Sequence, residues 1–194
     1  AGAELHLYNW NAQRDHSTFL DAVQAAGMKI MVPVSNYTAC QIVGGCQGVG
    51  AGSYQNAYNN VQNIFNQVYP GGALTPHPAI GAWGIFNEYD YNSIDPANVA
   101  FVIQAILGME TARGVTATLP FMVPASNAVN SGSSFAWFQT AQALYQAIPA
   151  NAGRGIPPGV LANIAVSFTL QNAQANNITS YGGVTVGPVP ADFW

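Results

Sequence analysis

Charge is the scarcest property of this sequence. Eight acidic and four basic side chains make up 6% of its 194 residues, against roughly 25% in an ordinary soluble domain. The four cations, Arg14, Lys29, Arg113 and Arg154, are scattered. They form no patch able to neutralise a run of phosphates, so nucleic acid is not an expected partner. Long apolar runs are missing too. No stretch reaches the ~20 residues needed to cross a bilayer, and Val99 to Leu107 reads as a core-facing helix. No secretory leader opens the sequence; a secreted protein would have lost it or carried it outside this stretch. His6, His16 and His77 lack metal-ligand spacing and are expected to be structural, so neither metal nor cofactor is expected. Ser126 and Ser167, at strand ends, lack the Gly-x-Ser-x-Gly setting of a serine hydrolase.

What remains is apolar and rich in amides. Hydrophobic residues are 49% of the chain, enough to build the core of one domain over residues 1–194. The polar surface must come from Asn, Gln, Ser and Thr. Such a surface suits an extracellular protein, a glycan-covered one, or a subunit buried among copies of itself. The only two cysteines close Cys40-Gln-Ile-Val-Gly-Gly-Cys46. Its glycines allow a tight loop, so a local disulfide is expected over two free thiols. Asn36-Tyr37-Thr38 and Asn177-Ile178-Thr179 are glycosylation sequons. Together these features favour the secretory route, with a cell wall or cell surface as destination.

Strand-like and helix-like segments alternate along the chain. Glu4 to Trp10 alternates as a strand does, and residues 17–26 read as a helix that Asp15 or Ser17 caps and Gly27 stops. Met28 to Val34 is a strand. Tyr54, Ala57, Tyr58, Val61, Ile64, Phe65 and Val68 recur at helical spacing, and Pro70-Gly71-Gly72 ends that helix. Ile80 to Asn87 is the third strand. Asp95-Pro96 starts a helix running to about Ala112. Thr118 to Pro124 and Leu161 to Phe168 are strands, separated by a helix carrying Phe138, Ala141, Leu144, Tyr145 and Ile148. Gly182 to Trp194 reads as extended or irregular. Apolar strands separated by helices mean a parallel sheet covered by helices. Five strands fit a doubly wound sheet, but the turn after the first, Asn9-Trp10-Asn11-Ala12-Gln13, has no phosphate-binding glycine. The other choice is a (β/α)8 barrel, of which the chain would supply about five units.

The segment with chemistry is Ile80-Gly81-Ala82-Trp83-Gly84-Ile85-Phe86-Asn87-Glu88-Tyr89-Asp90. An apolar strand delivers Asn-Glu at its C-terminal end, the functional end of barrel strands. A carboxylic acid there can protonate a glycosidic oxygen if aromatic neighbours raise its pKa, and Trp83, Phe86 and Tyr89 are the candidates. Asn87 is placed to hydrogen-bond a sugar 2-hydroxyl.

Here the chain resembles the clan of retaining glycoside hydrolases with a (β/α)8 barrel whose fourth strand ends in Asn-Glu. It is most similar to the members that cleave or transfer β-1,3-glucan. Glu4-Leu-His-Leu-Tyr-Asn-Trp is similar to that group's second strand. Asp15-His16, Phe19-Leu20-Asp21 and Ala25-Ala26-Gly27-Met28-Lys29-Ile30 are similar to the following helix and third strand. Leu119-Pro120 to Ser126 and Ile164-Ala165-Val166-Ser167 fit its fifth and sixth strands. The resemblance implies an α/β fold of the TIM-barrel type, partial, matching strands two to six. It makes Glu88 the acid/base and Asn87 its sugar-binding neighbour. Tyr8 would line the cleft, and Trp10, Trp83, Tyr89 and Tyr91 would offer rings for sugars.

The chain also departs from the pattern. The retaining reaction needs a second carboxylate about 5–5.5 Å from the first, in this clan a Glu ending the seventh strand. No Glu follows Glu110, which lies within a helix, and the only later acid is Asp192. Asp90, two residues after Glu88, cannot flank a bond from the opposite side. The first, seventh and eighth strands, with the nucleophile, therefore have no match. Two expectations follow: an extracellular domain that hydrolyses or transfers β-glucan, its nucleophile not in this chain, or a non-catalytic structural or carbohydrate-binding glycoprotein on the same scaffold.

Overall fold

The computed structural model describes residues 4–38, 51–88, 92–124, 164–167, 180–181 and 184–185. Five strands, β1 (Glu4–His6), β2 (Lys29–Val34), β3 (Ile80–Ile85), β4 (Phe121–Pro124) and β5 (Ile164–Ser167), form one sheet in the order β1-β2-β3-β4-β5. Every neighbouring pair is parallel. The described helices are α1 (Ser17–Ala25), between β1 and β2; α2 (Tyr54–Val68), between β2 and β3; and α3 (Pro96–Arg113), between β3 and β4. The expected α/β class with a helix-separated parallel sheet is what the chain adopts. The strand order never reverses, so these five strands contain no switch point of the kind at which doubly wound sheets bind nucleotides. In the tail, β6 (Ser180–Tyr181) and β7 (Val184–Thr185) form a short antiparallel pair.

Local sequence explains the helix ends. The Ser53 hydroxyl accepts the Asn56 N–H at 3.2 Å to open α2. The Asp95 carboxylate accepts from Ala97 N at 2.8 Å, and Pro96 follows in the first turn of α3. Gly114, at φ +74, closes α3 in the left-handed conformation that costs glycine least. At α1 the expected cap is displaced. His16 holds the cap position without a side-chain bond, while Asp15 accepts from the backbone and hydroxyl of Ser17.

The two faces of the sheet differ. Ile30, Val32 and Val34 of β2, Ile80, Trp83 and Ile85 of β3, and Phe121 of β4 share one buried cluster with Leu20, Val23, Val61, Phe65, Val68, Ile103 and Ile106 of the helices. The step from Ile80 to Trp83 spans an odd number of residues. A register shift opposite Ile30/Met31 makes it possible, because one extra residue at Gly81 returns both side chains to the helix-covered face. Met31, Ala82 and Gly84 belong to the opposite face. A β-carbon at Gly84 would stand 3.1 Å from Met31 Cγ, so the absent side chain makes room for methionine. β2 beyond Lys29 is buried at every position, and β3 at every position but Gly81. These central strands are therefore covered on both faces, as parallel sheets require. Among the described residues no helix is long and apolar enough to cross a membrane.

Candidate functional site

Glu88 lies just past the C-terminal end of β3, as expected, and is half-buried. Its backbone is unusual. Among the described residues only three that are not glycine have positive φ: Phe86 (58°), Glu88 (45°) and Ser93 (54°). Each pays on the order of 1–2 kcal/mol for the left-handed conformation. All three fall within the segment that leaves β3.

Hydrogen bonds pin this turn. Phe86 N–H donates to Val34 O at 2.9 Å, the last rung between β2 and β3. At Asn36 the β2 backbone has already turned helical and its main chain cannot extend the ladder. The Asn36 side chain takes over. Its Nδ2 donates to Asn87 O at 2.8 Å, and its Oδ1 accepts Asn87 N–H at 2.7 Å. From the other side, Asn92 Nδ2 donates to Asn87 O at 3.1 Å and Glu88 O at 3.0 Å. Asn92 N–H donates to Glu88 O at 2.9 Å. Two asparagine side chains thus hold Asn87 and Glu88 by their main chain and leave the Asn87 and Glu88 side chains out of this bonding. Sequence reading missed this role for Asn36, because its only legible feature was the sequon. The sequon's Thr38 is buried, and the amide nitrogen that would carry a glycan already donates to Asn87.

The aromatic candidates divide. Tyr8 is 62% exposed, and its ring stacks on His6 with centroids 4.7 Å apart, leaving it accessible near the end of β1. Trp83 does not fit the expectation of a sugar platform. It is fully buried on the helix-covered face, where the shift at Gly81 puts it, opposite Val32 and Phe121. Trp10 is not an open platform either. It is 8% exposed, its indole lies on His16 with centroids 3.9 Å apart, and its Nε1 donates to Gln67 Oε1 at 2.8 Å. Tyr89, Tyr91, Asp90, Cys40, Cys46 and Asn177 lie outside the described residues.

A second set of residues emerges that the sequence did not single out. A cleft of about 360 Å³ opens between the loop after β1 and the middle of α2, lined among others by Asn9, Trp10, Gln13, Tyr37, Asn59 and Asn63. Gln67 braces one wall. Its Oε1 accepts from Trp10 Nε1 and meets His16 Nδ1 at 2.9 Å, while its Nε2 donates to Ala12 O at 2.9 Å. An oxygen cannot donate, so His16 carries its proton on Nδ1.

Away from both places sits a buried acid. Glu110 of α3 is 5% exposed and accepts the Tyr69 hydroxyl at 2.7 Å. Burial pushes its pKa up to about 7, against smaller lowering contributions from Tyr69 and Trp83. The Trp83 indole N–H has no hydrogen-bond partner, so it favours the Glu110 anion through proximity and not through a formed bond. Tyr69 is pushed far above the ordinary phenol range, by burial first and then by Glu110. His77 Nε2 approaches Asp21 Oδ1 at 3.4 Å. No group of His, Cys, Asp and Glu suited to a metal occurs among the described residues.

No family model, curated protein or solved structure matches this chain.

Proposed function

We propose that this chain is a glycoside-hydrolase-type domain acting on β-glucan, with Glu88 as its acid/base. The observation that carries the reading is the pinned turn at 86–88. Strained backbone persists only where surroundings over-determine it, and such places cluster at functional sites. Here two left-handed residues and two asparagine clamps fix a carboxylate at the C-terminal edge of a parallel sheet.

A partial barrel, matching strands two to six, is the form we assign to the sheet. Right-handed crossovers in unbroken order place every helix on one face. An open sheet of that kind would leave its other face bare. Met31 and Ala82 on that face are 6% and 2% exposed, as on the inner face of a curved barrel wall. Glu88 then stands at the rim where barrel enzymes do their chemistry. Its protonated carboxyl would donate to the glycosidic oxygen as the bond to the anomeric carbon breaks, and Asn87 would hold the adjacent hydroxyl.

The carboxylate on the far side of the bond is not among the described residues. Asp15 and Asp95 are bonded to the starts of α1 and α3, Asp21 stands beside His77, Glu110 is buried under α3, and Glu4 opens β1 at the opposite edge. That observation favours a second reading, a domain that binds glucan without cleaving it. Product analysis on β-1,3-glucan oligosaccharides separates the two. In a longer protein that supplies the second carboxylate, the first reading expects Glu88→Gln to lower turnover by about 10²–10⁴-fold with binding retained. Turnover equal in both proteins refutes it. Binding without turnover in either protein establishes the second reading.

A further inference from the structure

We propose that the cleft between the β1–α1 loop and α2 is a binding site for an uncharged carbohydrate segment, distinct from the Glu88 turn. Its chemistry is specific in what it offers. Among the described residues no Asp, Glu, Lys, Arg or His lines it; asparagine, glutamine, serine, threonine and tyrosine supply the polar groups. An anionic ligand would find no cation there and a cation no carboxylate.

The amides have bonding capacity to spare, and of both kinds. Asn59 Oδ1 accepts from Gln55 Nε2, which leaves the Asn59 NH₂ as a donor. Asn60 Nδ2 donates to Asn56 O, which leaves its Oδ1 as an acceptor. Asn11 Oδ1 accepts from Gln13 N, which leaves its NH₂ free to donate. The Asn63 side chain makes no hydrogen bond to the described residues. Alternating donors and acceptors are what a row of hydroxyls satisfies, because each hydroxyl does both. The exposed ring of Tyr37 adds the apolar surface that the C–H face of a sugar ring requires.

Two further features point to a ligand. Asparagine is among the poorer helix formers, because its side chain competes for the backbone. Yet α2 places Asn59, Asn60 and Asn63 side by side at i, i+1 and i+4 on its cleft side. Alanine would make a better helix, so these positions give up local stability for what the side chains present. The facing wall is rigid before any ligand arrives, since Gln67 ties Trp10, His16 and Ala12 together and little ordering cost remains for binding. The volume, about 360 Å³, lies within the range of small-ligand sites.

The use of a glucan probe rests on the function proposed above; the preference for a neutral, polyhydroxylated ligand rests on the cleft alone. The test is calorimetric titration of the whole chain with a β-1,3-linked glucose pentamer and, separately, with a uronic-acid pentamer. Wild type should bind the neutral probe and discriminate against the charged one. Asn59→Ala/Asn63→Ala should weaken neutral binding roughly tenfold, as expected for two lost hydrogen bonds, while raising the melting temperature. Loss of binding with gain of stability is an outcome that a merely structural pair of asparagines cannot give. Unchanged affinity in the double variant, no binding by wild type, or equal affinity for both probes overturns the proposal. Glu88→Gln in the same titration keeps the two readings apart. If it abolishes turnover while the double variant binds as wild type does, the cleft assignment fails and the hydrolase reading stands. If the double variant loses binding and Glu88→Gln changes nothing, the reverse holds.

Discussion

Replacing Glu110 by glutamine should make the protein more stable at neutral and alkaline pH and leave it nearly unchanged in acid. The carboxyl is 5% exposed, and burial raises its pKa to about 7 from an ordinary 4.5. Below about pH 4.5 both folded and unfolded chains carry the proton, and the group contributes its full stability as a neutral acid. Between the two values the folded chain holds a proton that the unfolded chain has released, so stability falls as pH rises. Above about pH 7 the loss is complete. A shift of that size corresponds to about 3 kcal/mol at 1.36 kcal/mol per pH unit. Glutamine keeps an acceptor for the Tyr69 hydroxyl and carries no charge at any pH. Urea denaturation of both proteins at pH 4 and pH 8 checks this, because in the difference between them every other titrating group cancels. The difference should change by about 3 kcal/mol in favour of the variant at the higher pH. Stability curves that run parallel from pH 4 to pH 8 would refute the reasoning and mean that the buried carboxyl is not protonated in the folded protein.

Asn36→Ala removes both bonds to the Asn87 backbone and should cost about 2 kcal/mol, measured by denaturation, and depress any turnover that depends on Glu88. Peptide mass analysis after expression in a glycosylating host should find Asn36 unmodified, since its amide nitrogen is committed to Asn87 O; an occupied site would contradict the clamp. Ser53→Ala deletes the cap of α2 and should lower stability by about 1 kcal/mol, visible in the urea midpoint. Gly84→Ala brings a methyl to 3.1 Å from Met31 Cγ, and because methionine adapts, a loss of only about 1 kcal/mol is expected; a loss of several would show that Met31 cannot move.

The elements that could be read from sequence were those with a strong local signal. In α2 the buried Val61, Ile64, Phe65 and Val68 recur at helical spacing between amides, and that periodicity survives in the structure. Asp95-Pro96 marked the start of α3 because capping chemistry is local, and the helix ends at Arg113, one residue past the expected Ala112. β1 is shorter than its alternating sequence suggested, since Trp10 packs on His16 and bonds to Gln67 instead of extending the strand. The direction of Trp83 was not legible, because a single extra residue at Gly81 reverses which face later side chains occupy. The position of Glu88 at the end of β3 was legible, but its left-handed backbone was not, since neither Phe86 nor Glu88 is a residue that signals positive φ. Asn36 carried a motif whose chemistry hid its structural part. The amide cleft joins residues 9–13 to residues 59–64, a juxtaposition only the fold creates.

A crystal structure of the Glu88→Gln variant with a β-1,3-glucan oligosaccharide bound tests the role of Glu88 most directly. A glycosidic oxygen is expected within about 3 Å of the residue 88 carboxamide, at the C-terminal rim of the parallel strands. Sugar bound only elsewhere on the molecule, with residue 88 facing solvent alone, would contradict the assignment of Glu88.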